Sequence, residues 1–140
     1  MAKKIGLSIG VLVALLAAAF IFTVVAVKPL STDLSAVGQG RPALVLAYEN
    51  YSPAGAAALE RLRHVKADYE ERVDFLVADL GTPQGRTFAD RHNIANGVAV
   101  FLRQDGRPLR VTTIPADEGD LRRRLDGKLA EVGSRQGGSE

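Results

Sequence analysis

The chain has 140 residues, of which 46% are hydrophobic and 24% are charged, a composition that excludes extended disorder. The net charge is only +2, and Lys3, Lys4 and Lys28 flank one apolar segment, so the remainder offers no basic surface for nucleic acid. The sequence contains no cysteine, which excludes disulfides, thiol catalysis and thiolate metal sites. The residues after position 28 suffice for one small domain.

The first feature along the chain is Ile5 to Val27, a run of 23 residues without a charge. As a helix this run would span about 35 Å, which exceeds the hydrocarbon core of a bilayer at about 30 Å. We therefore predict that residues 1–28 form a transmembrane anchor that contacts membrane lipid through Ile5–Val27. The alternative is a cleaved signal peptide with Val24-Val25-Ala26 as its cleavage site, although the apolar run is longer than is usual for such a peptide.

The charges beside this run predict its orientation. Lys3 and Lys4 precede it, whereas Lys28 and Arg41 follow it with Asp33 between them. The side that is richer in Lys and Arg normally stays in the cytoplasm. We therefore predict a single-pass protein of a bacterial-type inner (plasma) membrane, with a cytoplasmic N-terminus and a periplasmic domain.

Two stretches of the remaining chain have the composition of loops. Residues 29–40 contain Pro29, Gly38, Gly40 and small polar residues, and we predict a tether between membrane and domain. Residues 133–140 end in Gly-Gly-Ser-Glu and are predicted to be a flexible tail. The folded domain should therefore occupy residues 41–132.

Apolar runs typical of buried strands alternate with helical periodicity throughout this domain. In the first helical stretch, Ala58, Leu62, Val65 and Tyr69 recur on one helix face. The Asp-Gly pair at 105–106 is typical of a hairpin turn. The predicted strands are Ala43–Ala47, Val73–Asp79, Val98–Leu102 and Leu109–Ile114, and the predicted helices are Ala54–Glu71, Gln84–His92 and Asp117–Val132.

This order, βαβαββα, predicts the architecture of the domain. The first connections are long enough for right-handed crossovers between parallel strands, and the hairpin makes the last pair antiparallel. The fold class is therefore α/β, with three layers built on a mixed four-stranded central sheet and preceded by one transmembrane helix. The side chains expected to be buried in the sheet are Leu44, Leu46, Phe75, Val77, Val100 and Leu102.

Three local strings resemble the thioredoxin-like superfamily over Arg41 to about Val132. The string ALVLAYENYSPAG is similar to the strand and active-site turn of membrane-tethered, extracytoplasmic thioredoxins. RVDFLVADL is similar to the next strand of that family, and HNIANGVAVFLRQDGRPL to its cis-proline loop, strand and Asp-Gly hairpin. The resemblance implies a thioredoxin-like fold for the whole domain.

The residues that carry the redox chemistry of this family are absent from the sequence. Ser52 and Gly55 stand at the positions of the two cysteines, and Val98 stands at the cis-proline. Because a cis bond before valine would cost about 3 kcal/mol, we predict that Gly97–Val98 is trans. Leu46 lies where many thioredoxins carry a buried acid, although tethered relatives are often apolar there. The resemblance therefore implies a redox-inactive member of the superfamily.

Ser52 is the first candidate for a catalytic role. A serine nucleophile needs a general base, and neither histidine of the chain has a partner pattern around it. Ser52 followed by Pro53 is instead a preferred start of a helix, with serine as N-cap and proline at the first helical position. We therefore predict a capping role and no catalytic residue.

Two charged clusters are candidate binding sites. Glu60, His64 and Asp68 share a helix face and would form a weak metal site, or else a solvated face with internal ion pairs. Arg122-Arg123-Arg124 would contact anionic lipid or an acidic partner, or else be neutralised by neighbouring acids. In both cases we favour solvent-exposed ion pairs over a binding site, so we predict no metal site and no cofactor.

A third set of residues should converge if the fold is thioredoxin-like. In that family the region is the surface that docks substrates, and an exposed tyrosine beside a shallow apolar groove suits recognition of a partner. The alternative is that these residues merely close the edge of the sheet. The predicted partner-binding residues are Tyr48, Tyr51, Pro53, Asn96, Gly97 and Val98.

These observations predict a non-catalytic, membrane-anchored, thioredoxin-like protein. It would be an accessory or structural subunit, or an assembly factor, of a membrane protein complex. The expected partner is therefore an integral membrane protein complex or a membrane-associated protein, with no small-molecule substrate. The alternative function is a chaperone that binds client peptides without thiols, and an enzyme with cysteine-free chemistry is the least favoured.

Overall fold

The computed structural model of the chain describes residues 9–19 and 29–136. Residues 9–19 are helical, and the residues from 43 onward follow the predicted order βαβαββα. We number the elements in chain order. The strands are β1 (Ala43–Tyr48), β2 (Asp74–Asp79), β3 (Val98–Leu102) and β4 (Pro108–Thr113), and the helices are α1 (Pro53–Tyr69), α2 (Pro83–His92) and α3 (Glu118–Gln136).

The four strands form one mixed sheet in the order β2-β1-β3-β4. β1 pairs with β2 in parallel, whereas β3 is antiparallel to both β1 and β4. The mixed sheet is confirmed, but the expectation of parallel pairing after the second connection is wrong. α2 starts against the end of β2, where a Cβ on Gly85 would overlap the Asp79 carbonyl, and the Gly97 N–H donates to the Ala47 carbonyl at 2.9 Å. β3 therefore starts at the edge where β1 and β2 end, and runs back.

Both faces of the sheet are covered, which produces two apolar layers. One layer joins the sheet to α1 and α3. The other joins it to α2 and to residues 34–37, which precede β1. The predicted face of α1 is buried, including Leu62 and Val65 at 0% exposure. All six side chains predicted to be buried in the sheet have exposures of 5% or less.

The segment predicted as a tether is packed on the domain in the structure, so that prediction is corrected. Leu30 is buried in the core, and Ser31 pairs in parallel with Leu76 along the outer side of β2. Asp33 then caps a short 3-10 turn, Leu34–Ala36, which also packs against the sheet. Burial of these apolar side chains keeps the segment packed on the sheet, although its Gly and Pro content is typical of linkers.

The two ends of the chain also bear on the predictions. α3 continues to Gln136, past the predicted end of the helix at Val132, and residues 137–140 of the predicted tail lie outside the described residues. Residues 5–8 and 20–27 of the predicted membrane span lie outside them as well. Over residues 9–19 and 29–136, the structure contains no helix with the length and hydropathy that a membrane crossing requires.

Candidate partner-binding site

The site is built first from the loop that joins β1 to α1. Ser52 has an extended backbone, and its Oγ accepts a hydrogen bond from the Gly55 N–H at 3.4 Å. Pro53 occupies the first turn of α1, where its missing N–H leaves no donor unpaired. The predicted capping role of Ser52 is therefore confirmed.

The loop before β3 supplies the second half of the site through Asn96. The Asn96 Nδ2 donates to Ser52 Oγ at 2.6 Å, and its Oδ1 accepts from the Glu49 N–H at 2.9 Å. Together with the bond from the Gly97 N–H to the Ala47 carbonyl, these bonds join the two loops. We call the pair of bonds from the Asn96 amide to Ser52 and Glu49 the Asn96 clamp.

The Asn96 clamp explains the glycine at position 55. A Cβ on Gly55 would lie 2.5 Å from the Asn96 Oδ1 and 3.2 Å from Cδ2 of Tyr48. Any side chain at this position must therefore displace the Asn96 amide. Gly55 stands where the resemblance places the second cysteine, so the clamp occupies the space that a thiol there would need.

Tyr51 is the most exposed member of the site. Its backbone has a φ of 71°, in the left-handed region that L-residues other than glycine, asparagine and aspartate seldom adopt. Its side chain is fully exposed, at 102% of the reference value. A strained residue that holds an aromatic ring in solvent points to a functional surface.

The structure sorts the six predicted partner-binding residues into two groups. Tyr51 and Pro53 are exposed. Tyr48, Asn96, Gly97 and Val98 are half-buried, and Asn96 commits both ends of its amide to the loops, which its choice as a surface residue did not anticipate. The Gly97–Val98 bond is trans, as predicted, and Gly97 itself has a φ of 83°.

Glu60, His64 and Asp68, the trio for which ion pairs were favoured over a metal site, make separate contacts with charged groups. The His64 Nε2 lies 3.3 Å from the Glu60 carboxylate, and the Nδ1 lies 3.9 Å from that of Glu118. Asp68 pairs with Arg122 instead. Within the described parts of the chain, no group of three His, Cys, Asp or Glu side chains has the geometry to hold a metal ion.

The three arginines Arg122–Arg124 on α3 are paired with acids, which is the alternative in which neighbouring acids neutralise them. Arg122 forms ion pairs with Asp68 and with Glu118, the latter at 2.9 Å, and the other two arginines both pair with Asp120. The bonds to Asp68 and Glu118 raise the pKa of Arg122 above its usual value. These side chains tie α3 to α1 and to its own first turn.

One further contact between α1 and α3 escaped the sequence analysis. The Tyr69 hydroxyl is buried and donates to the Asp126 Oδ1 at 2.9 Å. Burial, followed by this hydrogen bond, raises the pKa of the Tyr69 hydroxyl. The helical spacing placed Tyr69 on the buried face, but no pattern indicates which residue its hydroxyl meets.

Comparison with solved structures identifies the fold. The chain is similar to a thioredoxin from Thermus thermophilus, with 17% identity and a TM-score of 0.64 over 78% of this chain and 94% of that chain. A thioredoxin-like protein from Clostridium perfringens gives 14% identity and a TM-score of 0.59, over 73% and 82% of the two chains. Trxlp from Edwardsiella tarda gives 16% and 0.55, over 65% and 87%. The fold is therefore thioredoxin-like.

At these identities the likeness shows the fold alone. The sequence matches no protein-family model, and it matches none of the curated proteins with which it was compared. The chain has the thioredoxin-like fold without a single cysteine, so the dithiol chemistry of thioredoxins is absent from it.

Proposed function

We propose that this chain is a non-catalytic, thioredoxin-like protein, anchored in a membrane by Ile5–Val27. It serves as an accessory or structural subunit, or as an assembly factor, of a membrane protein complex. The observation that carries the proposal is Tyr51, a fully exposed aromatic residue in a left-handed backbone conformation, directly before the clamped Ser52.

The surroundings of Ser52 argue against catalysis by this residue. Its Oγ accepts hydrogen bonds from Asn96 and from the Gly55 N–H, both of which serve the fold. The two histidines of the chain are engaged elsewhere, since His64 lies beside Glu60 and the His92 ring packs on Phe88 at 4.4 Å between centroids. A serine nucleophile without a neighbouring base is a weak one.

The same surroundings favour binding of a partner. The Asn96 clamp fixes both loops around Tyr51, so little conformational freedom of the backbone is left to lose on association. Tyrosine is among the residues that most often carry the energy of a protein interface. Pro53, two residues further along the chain, is also exposed, and Val98 in the second loop is half-buried.

The exposure of residues 9–19 supports the membrane part of the proposal. Every residue of this helical segment is exposed. A helix that is apolar on all sides needs lipid or protein around it. The large apolar side chains that are each more than half exposed are Ile9, Val11, Leu12, Val13, Leu15 and Leu16. Together with the charges at Lys3 and Lys4, this supports a cytoplasmic N-terminus and a periplasmic domain.

The test is purification of the full chain from its native membrane in mild detergent. We expect an integral membrane protein to co-purify in a fixed ratio. Tyr51→Ala and Val98→Asp should each reduce that ratio by about tenfold or more while the domain stays folded, because truncation of an interface tyrosine typically costs about 2 kcal/mol. Arg123→Ala, on α3, is the control and should retain the partner.

Three results would contradict the proposal. The first is the absence of any partner in a fixed ratio. The second is unchanged retention in both Tyr51→Ala and Val98→Asp, which would move the contact to the apolar segment. The third is transient capture of unfolded peptides alone, which would indicate a chaperone.

A further inference from the structure

The two edges of the sheet are treated differently by the chain. The outer side of β2 is covered by Ser31, which pairs with Leu76 and accepts the Val77 N–H at 2.9 Å. β4 is the other edge, and within residues 9–19 and 29–136 it pairs with β3 alone. Its Val111 is 46% exposed. An edge strand directs alternate N–H and C=O groups outward, where they can pair with another strand.

A groove runs beside this open edge, between β4 and α3. Its volume is about 410 Å³, within the range of sites that bind ligands. The side chains at its base are buried and apolar, and come from β1, β3 and α3: Leu44, Phe101, Leu121 and Leu125. The groove is therefore an apolar slot that opens directly beside unpaired backbone.

The rim of the groove is cationic. Arg110, Arg124 and Lys128 line it, and none of the described residues lining it is acidic. Arg124 pairs with Asp120 at 3.2 Å, and Lys128 pairs with Glu131 at 2.8 Å. Within the described part of the chain the Arg110 side chain, which is exposed, has neither a hydrogen bond nor an ion pair, so its charge is available to an external anion.

We propose that β4 and this groove bind an extended segment of a partner protein, which adds a strand to β4 and carries an acidic residue between apolar ones. Side chains at every second position of the added strand face the groove, so apolar residues fill the slot and the carboxylate between them meets Arg110. The alternate side chains cover Val111. Tyr51 does not line this groove, and the proposal does not depend on the partner-binding role of Tyr51.

The open edge and the charge together favour this occupant over two others. A second copy of the chain, paired through β4, would bring two cationic rims together, which is unfavourable. A fatty-acid-like anion would fill the slot and meet Arg110 but leave the edge of β4 unpaired. An extended acidic and apolar segment uses all three features.

Two positions allow the groove to be altered without disturbing the fold. Gly127 lines the groove, and a Cβ there meets no atom within 4 Å, so Gly127→Leu adds a side chain at the groove from open space and replaces a helical glycine. Gly133→Leu is the matched control, because Gly133 lies on the same helix in equally open space away from this groove. Arg110→Glu reverses the free charge, and Arg91→Glu is its control on α2.

The experiment measures fluorescence anisotropy of the labelled peptide SSLVEVLSS as the full chain is titrated into it. We expect saturable binding, which Gly127→Leu and Arg110→Glu each weaken by about tenfold or more, as loss of a charged contact or of the apolar slot predicts. Gly133→Leu, Arg91→Glu and Tyr51→Ala should bind as the wild type does. The peptide SSLVKVLSS, with lysine in place of glutamate, should bind far more weakly.

Several outcomes would overturn the inference. They are the absence of saturable binding by the wild type, equal binding of the two peptides, and equal losses in the matched controls. Dodecanoate is titrated in parallel, and binding of dodecanoate but not of the peptide would assign the groove to an anionic amphiphile. Sedimentation of the free chain completes the test, because a dimer that Gly127→Leu disrupts would assign the groove to a second copy.

Discussion

The helices α1 and α2 begin with the same local motif but in different settings. The two motifs are Ser52-Pro53-Ala54-Gly55 and Thr82-Pro83-Gln84-Gly85, and each follows a strand of the sheet after a short loop. In both, the hydroxyl oxygen of the first residue accepts the N–H of the glycine, at 3.4 Å for Ser52 and 3.0 Å for Thr82. As helix starts they are equivalent.

The partners of the two motifs differ. The Thr82 hydroxyl donates to the carbonyl of Asp79, three residues away, at 2.8 Å. Ser52 is instead bonded to Asn96, which is 44 residues away, and follows the exposed and strained Tyr51. The cap motif is therefore structural in both places. The distant bond and the exposed ring are what make the first motif a candidate site, and substitutions of Gly55, Gly85, Asn96 and Tyr51 test that difference.

The largest effect is expected at Gly85. A Cβ there would overlap the backbone carbonyl of Asp79, which cannot move aside, whereas a Cβ on Gly55 meets the mobile end of the Asn96 side chain. Gly85→Ala should lower the free energy of unfolding by about 3 kcal/mol or more, and Gly55→Ala by about 1 kcal/mol. Denaturant unfolding of the two variants measures this, and equal losses would remove the distinction between the motifs.

The Asn96 clamp should give the next largest effect. Asn96→Ala removes two hydrogen bonds and should cost about 2 kcal/mol of unfolding free energy. In that background Gly55→Ala should become neutral, or stabilising by up to about 1 kcal/mol, because the clamp no longer occupies the space and alanine favours the helix. Asn50→Ala, in the same loop, is the control. Additive effects of the two substitutions in this cycle would show that Asn96 and Gly55 are not coupled.

Tyr51 allows stability and binding to be separated. Tyr51→Gly relieves the left-handed backbone and should raise the unfolding free energy by up to about 1 kcal/mol, while retention of the partner falls. Asn93→Gly is the matched control, since Asn93 also has a positive φ, of 52°, at the end of α2. It should leave retention unchanged. A Tyr51→Gly variant that is less stable than the wild type would argue against strain at this position.

The smallest effect concerns pH and belongs to α2. Burial, followed by the charge of Arg91, lowers the pKa of His92 below its usual 6.5. The unfolded chain therefore binds more protons than the folded one as the pH falls below about 6.5, so stability is present above that value and is lost below it. The free energy of unfolding of the wild type should fall between pH 7.5 and pH 5.5 by more than that of His92→Gln.

Much of the fold could be predicted because its causes are local. The apolar runs around Leu44, Phe75 and Val100, and the helical spacing from Ala58 to Tyr69, are sufficient to indicate buried strands and a buried helix face. Ser52 followed by Pro53 likewise identifies a helix start without further information. Each of these patterns lies within a few residues of the structure that it determines.

The rest depends on contacts between distant parts of the chain. The resemblance to a known family places Asn96 at the predicted partner-binding surface, but its bonds to Ser52 and Glu49 exist only because the fold brings the two loops together. The direction of β3 and the pairing of Ser31 with β2 have the same origin. In the loop before β3, the pair Asn96-Gly97 indicates a turn, but it does not indicate which loop that turn contacts.

The central claim is that Tyr51, and not the cap motif itself, contacts a membrane protein. The most direct measurement replaces Tyr51 with a photo-crosslinking amino acid in the full chain and irradiates intact native membranes, with Gln84 of the second motif replaced as the control. We expect one crosslinked integral membrane protein from position 51 and none from position 84. No crosslink from position 51, or the same product from both positions, would contradict it.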